Sequence, residues 1–346
     1  MGQVAVLATA LLNAAATMQA HVEAMRDMTP SKGARGQLEL SGPVGSDVRL
    51  SGLVQGDWSS MDWAAGLGPA TVRQARGSAE VSFAPWEAAE LRLRLGLATS
   101  MHHPMPEGEL VFSQLQPGGW TVELSGRSQR SDDTVRVRQL DGRESGGEVA
   151  LGWHSGEAFL WELRGSGRRL TWDGGQVTRW SSWTYILLRV LSIDALALKL
   201  GAAGAWADSS RDLNSITGSV PIGGGLYRYL DGNDPAFAPL DQWQAQGLAT
   251  LSIAFDKRAF LSGKVSVPLW MRTRKTTLWP TEGDTAFPSQ WGSSSWTRTG
   301  GGPWEGSVRL DLGLSESTWM ALETSMSHGD DYWFQKIALS LQTTIF

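Results

Sequence analysis

From about residue 36 to Phe346 this sequence alternates apolar and polar residues with a period of two. Leu91, Leu93, Leu95 and Leu97 share one parity, while Glu90, Arg92 and Arg94 share the other. Val308, Leu310, Leu312 and Leu314 likewise oppose Ser307, Arg309 and Asp311. A strand sends successive side chains to opposite faces, so this pattern reads as a long series of strands, each with one greasy and one wet face. Alternation alone would also fit a soluble antiparallel sandwich.

Segment length and connection length separate the two. Many segments run for about 9 to 14 residues, well beyond the ~5–6 of a typical soluble strand and enough to cross a bilayer at a tilt. Tight turns at Val44–Ser46, Ser155–Gly156, Ser192–Ile193, Asp256–Lys257 and Ser315–Glu316 alternate with longer polar stretches at Ser59–Pro69, Gly167–Val177, Asp208–Asp241 and Arg274–Gly302. Short turns on one rim and longer loops on the other mark an outer-membrane barrel. No run of 18 apolar residues offers a helical span; the nearest, Ile186 to Leu200, is broken by Arg189, Asp194 and Lys199. Without such a helix, only a closed barrel satisfies every backbone group inside a membrane.

The sequence therefore predicts an all-β fold: a transmembrane antiparallel β-barrel of about 16 strands over 36–346, preceded by an N-terminal helix and linker over 1–35. The Ala-rich stretch 4–28 reads as a helix ended by Pro30 and Gly33. A secretion signal is the alternative, but a basic leading region is missing. A strand is expected at 133–140, although it breaks the short–long alternation of connections. Phe346 falls on the polar parity of the last segment, which a bulge would correct.

The polar parity carries many charges. It includes Arg92, Arg94, Arg127, Arg136, Arg138, Glu162, Arg164, Arg189, Lys264, Arg272, Arg309, Asp311 and Glu323. An Arg or Lys facing lipid at the midplane costs about 2–4 kcal/mol, so this row must face a hydrated lumen. Such charges pair to hold the wall in shape, line a path for a polar substrate, or both. Trp183, Tyr185 and Trp270 share the lumen parity and are candidates for stacking on a sugar ring.

The chain has 18 tryptophans. Trp120, Trp180, Trp206, Trp243 and Trp333 stand near segment ends, where an interfacial girdle belongs. Trp279, Trp291 and Trp296 fall in a long polar stretch and read as outer-loop aromatics able to meet a polymer.

Several function classes find little support. The net charge of −5 comes without a basic cluster, which argues against nucleic acid. Cysteine is absent, and His102 and His103 have no third ligand nearby, so neither a metal nor a cofactor is expected. Ser327–His328–Gly329–Asp330–Asp331 is the one cluster that a rim hydrolase could use, and turn chemistry explains it better. No catalytic residue is assigned, and the chain is not read as an enzyme.

Three stretches resemble the C-terminal barrel of the bacterial cellulose synthase C family, a family of outer-membrane exopolysaccharide-export porins. They are Gln74–Phe83 with the Pro/Gly-containing connection at 97–109, then WTVELSGRSQRSDDTVRVRQLDG at 120–142 with Gly146–Gly147, and SITGSVPIGGGLYRYLD at 215–231. The chain departs from that family at Gly126–Arg130, which lacks the basic-Pro turn, and it carries no tetratricopeptide repeat. The resemblance implies a porin that passes a polysaccharide chain, sits among outer-membrane lipid, and is served by a periplasmic scaffold or an inner-membrane synthase complex. It further implies either the barrel portion of a longer exporter or a separate barrel protein. A general diffusion porin for small solutes is the other transport reading.

Overall fold

The computed structural model describes residues 17–27, 31–44, 46–62, 69–99, 104–116, 118–131, 142–156, 158–172, 175–193, 195–211, 240–284, 287–300, 304–329 and 332–344. All regular structure among them is β-strand: β1 (Thr17–Asp27), β2 (Ser31–Pro43), β3 (Val48–Asp62), β4 (Pro69–Phe83), β5 (Ala89–Ala98), β6 (Met105–Gln116), β7 (Trp120–Arg130), β8 (Arg143–Ser155) and β9 (Phe159–Trp172). There follow β10 (Gly175–Ile193), β11 (Leu196–Arg211), β12 (Leu240–Ala254), β13 (Ala259–Asp284), β14 (Phe287–Gly300), β15 (Trp304–Gly313), β16 (Thr318–Gly329) and β17 (Tyr332–Thr344).

From β1 to β13 each strand pairs antiparallel with the next in sequence. β13 then serves two partners: Met271–Asp284 pairs with β14, and Ala259–Ser266 pairs with β15. β14 and β15 thus lie end to end along β13 as one stave, and the wall has sixteen staves. β17 pairs with β16 on one edge and with β1 on the other, from Thr17↔Thr344 to Asp27↔Phe334. The sheet closes on itself and leaves no stave without a neighbour.

Which face is greasy follows from exposure. Leu93, Leu95 and Leu97 stand exposed on the outer surface, Leu95 at 59%. So do Val54, Val81, Val265, Val308, Leu322, Ile337 and Leu339 on other staves. Large apolar side chains exposed all around a closed sheet make a lipid-facing surface. An aromatic band lies toward one end of that surface, with the Trp120 ring 6.1 Å from Trp153 and 6.0 Å from Trp161. On the other half of the staves Trp206 meets Trp243 at 6.0 Å. These amphipathic rings suit the headgroup level.

The connections sort by rim. At one rim the turns at 84–88, 255–258 and 314–317 are short, and Thr17 and Thr344 meet there. Gly119 (φ +83°) and Gly156 (φ +55°) take left-handed turn positions at this rim, which side-chain-bearing residues rarely adopt. At Gly119 a Cβ would also strike the His154 carbonyl oxygen. Short turns and both ends on one rim match the periplasmic side of an even-stranded barrel.

Several sequence expectations are corrected. Residues 17–27 form strand β1 and not a helix; the remaining part of that expected helix, 4–16, lies outside the described residues. Gln19, His21 and Glu23 alternate with Met18, Ala20, Val22 and Ala24, and the need to cover the edges of β2 and β17 outweighs the helical propensity of alanine. β7 and β8 pair directly from Trp120↔Trp153 to Arg130↔Arg143. The residues of the strand expected at 133–140 lie outside the described ones. The stretches at Gly167–Val177 and Arg274–Gly302 are largely strand, with β13 and β14 forming a long hairpin. Phe346 and the stretch 215–231 lie outside the described residues.

The outer surface generates a direct test. Leu95→Arg should lower the folding stability of the barrel in lipid vesicles by about 2–4 kcal/mol. The inward-facing change Ser78→Arg should cost much less, measured by urea titration of tryptophan fluorescence.

Candidate functional site

The inner surface is where chemistry can occur, and its residues come from every stave. Glu162 and Arg164 on β9 lie directly across from Tyr185 and Trp183 on β10. The Trp183 and Tyr185 rings stack at 5.2 Å with 13° between their planes. The Arg164 guanidinium carbon lies 5.5 Å from the Trp183 ring centroid, within cation–π range. Arg164 also pairs with Glu162 and with Glu148 (2.9 Å), and the Tyr185 hydroxyl donates to Glu162 Oε2 at 2.9 Å. The aromatic pair is thus clamped by charge, yet Trp183 keeps 37% of its surface exposed.

The clamp belongs to a longer chain of ion pairs. Arg168 reaches Glu148 at 3.6 Å and Glu144 at 3.7 Å, and Glu144 in turn binds Arg127 at 2.6 Å. Nearby, Arg94 sits between Glu80 (2.8 Å) and Glu109 (3.2 Å). Among the described residues Arg92 has a long contact of 3.9 Å with Glu90. These groups surround a polar hollow of about 350 Å³ whose lining includes Glu80, Arg94, Arg127 and Arg164. Partly hydrated pairs are each worth only about 0–1 kcal/mol. Their larger effect is to fix side-chain positions and to balance charge along this wall.

A second network straddles the junction where β17 pairs with β1. Arg309 binds Asp311 at 2.8 Å and approaches Glu323 at 3.9 Å. Lys336 links Glu323 (3.8 Å) to Glu23 (4.0 Å), which Arg35 and His21 also approach. Lys264 has no ion pair among the described residues, and it borders a hollow of about 330 Å³ with Ser266, Glu305, Ser307 and Glu323. Arg189 lies across from Lys199 on the lumen row.

Other site expectations change. Trp270 and Arg272 do not face the lumen. A bulge at Leu269 shifts the register so that Ala245↔Trp270 and Trp243↔Arg272 pair, while Gln246 meets Pro268. One extra residue moves everything beyond it to the opposite face. Trp270, 46% exposed, and Arg272 therefore join Trp243 on the outer surface. There an interfacial ring and a snorkelling cation are both at home.

Trp279, Trp291 and Trp296 stand on β13 and β14, at Trp279↔Gly292, Pro280↔Trp291 and Lys275↔Trp296, and not in an irregular loop. Ser327 and His328 are on β16, adjacent on one strand and so on opposite faces, with His328 beside the Trp304 ring at 6.2 Å. Arg136, Arg138, His102, His103, Asp330 and Asp331 lie outside the described residues. The sequence reading missed Glu144, Glu148 and Arg168, which complete the ion-pair chain, and Phe260–Trp319, a ring pair 6.1 Å apart on the lumen row. Their parity alone would have found them.

No family model matches the sequence, and no curated protein does. Solved structures do resemble the fold. A bacterial polysaccharide outer-membrane secretin superposes with a TM-score of 0.63 at 8% identity, covering 96% of this chain and 99% of that one. The fold is that of an outer-membrane β-barrel. OccK2 (OpdF) of Pseudomonas aeruginosa, solved in complex with glucuronate, gives a TM-score of 0.42 at 9% identity over 97% and 99% of the two chains. OmpT of Vibrio cholerae, folded in vitro, gives 0.43 at 8% identity over 95% and 96%. The closed wall, its greasy exterior and its ion-paired interior belong to a protein of the Gram-negative outer membrane.

Removing one cation from the clamp should be visible electrically. Arg164→Met leaves Glu148 and Glu162 without their shared partner, so the lumen gains negative character. The reversal potential in a tenfold KCl gradient should shift toward cation preference relative to wild type.

Proposed function

We propose that this barrel is a channel that exports an exopolysaccharide across the outer membrane. The observation that carries the reading is the Trp183–Tyr185 stack, held by Arg164 and Glu162 on the inner wall. A pyranose presents C–H faces to an aromatic surface and hydroxyls to neighbouring charges, and this station offers both. A rigid ledge suits a polymer that must slide, because each sugar meets the same surface in turn. A wall of sixteen staves leaves an aqueous lumen. The overall likeness to a polysaccharide secretin agrees with the reading, as does the resemblance to the cellulose synthase C family. Driving force would come from an inner-membrane synthase complex, handed on by a periplasmic scaffold.

A general diffusion porin for small solutes is the second reading. It is favoured by the near-complete pairing of Arg and Glu on the wall from β4 to β10, which needs no special cargo.

Single-channel recording in a planar bilayer separates the two. An exporter should show current blockades by added oligosaccharide, and Trp183→Ala should shorten their dwell time roughly tenfold, the equivalent of about 1.4 kcal/mol of contact. A large, steady conductance that oligosaccharide leaves untouched would favour the diffusion porin.

A further inference from the structure

Beside the aromatic station the wall changes character. Across four staves, Trp183 is followed by Ala205, Gln244 and Met271, and Tyr185 by Ala203, Gln246 and Pro268. Gln242 occupies the next lumen position on β12, facing Thr273. None of these positions on β11 to β13 carries a charge, in contrast to the wall from β4 to β10.

We infer that β12 carries a second contact lane, in which Gln242, Gln244 and Gln246 hydrogen-bond the uncharged hydroxyl or acetamido groups of the glycan. The inference rests on the export reading and names where, and by which chemistry, the polymer is held.

Two independent observations support it. The first is a ladder of carboxamides at every second residue of one strand, about 6.7 Å apart. Gln242 Nε2 donates to Gln244 Oε1 at 3.1 Å and approaches Met271 Sδ at 3.8 Å, which fixes the face they share. Gln244 keeps its amide nitrogen, and Gln246 both polar atoms, without a hydrogen-bond partner among the described residues. The second is the absence of charge beside it: the lumen positions facing the ladder, Ala203 and Ala205 on β11 and Pro268 and Met271 on β13, are all uncharged, so no ion pair competes for these amides.

The chemistry also sets the cargo. Carboxamides both give and accept hydrogen bonds, so they accommodate neutral sugars in either orientation. They offer a carboxylate no counter-charge. The cations Lys199 and Lys264, flanking Thr250, lie off the lane toward the short-turn rim.

Single-channel dwell times test the lane in the full-length protein, with a neutral gluco-hexaose and a hexauronate as probes. Wild type should hold the hexaose longer than the hexauronate. Gln244→Leu with Gln246→Leu should shorten the hexaose dwell about tenfold, as two lost hydrogen bonds predict. Gln246→Ala, a single change able to fold where the double variant fails, should shorten it about threefold. Dwell times within twofold of wild type for these variants, with Trp183→Ala still effective, would overturn the lane and leave the export reading standing. Longer capture of the hexauronate would overturn it as well. If neither sugar interrupts the wild-type current, both readings fall.

Discussion

A peptide group in hydrocarbon has no water to bond, so every N–H and C=O in the span must find a partner in the chain itself. That requirement explains the seam. β1 and β17 lie at opposite ends of the sequence, yet they pair along the whole length of β1. Without β1, both β2 and β17 would present bare edges to lipid. The polar side chains reinforce the seam from inside, where Glu23 on β1 is approached by Arg35 on one neighbour and Lys336 on the other.

Closure then divides the surface in two. Because strand side chains alternate, one row of each stave must meet lipid and the other must meet the lumen. The outer row is met with Leu, Val and Ile, and with tryptophans at the interfacial levels. The inner row is not uniform. From β4 to β10 it is a lattice of Arg and Glu, in which Arg94, Arg164 and Arg168 each touch two carboxylates. In the middle of β11 to β13, from Ala203 and Ala205 to Gln242, Gln244 and Gln246, it carries small residues and carboxamides without charge, and Lys199 and Lys264 lie beyond this stretch toward the short-turn rim. Trp183 and Tyr185 stand on the boundary between these sectors. In the proposed export role a polymer chain would meet a stiff, charge-balanced wall on one side and exchangeable hydrogen-bonding groups on the other.

On the export reading, stiffness and weak contact would act together. The clamp of Arg164 and Glu162 gives the aromatic ledge a fixed position without asking the cargo to order it. Single hydrogen bonds worth about 0.5–1.5 kcal/mol can guide a polymer and still release it. On that reading a tight site would stall the polymer.

The sequence by itself determined the class of fold and the two faces of most staves. Period-two alternation is a local property, and its parity survives folding wherever the ladder is regular, as at Arg92, Arg94, Arg127, Glu162, Arg164, Trp183, Tyr185, Arg309 and Glu323. Tertiary structure decided what parity cannot carry. The bulge at Leu269 sent Trp270 and Arg272 outward, because the register between two strands belongs to neither strand alone. Residues 17–27 became a strand because a ring must close, a demand that no local propensity expresses. Ion-pair partners such as Glu144 with Arg127 and Arg168 were likewise fixed only when pairing across staves brought them side by side.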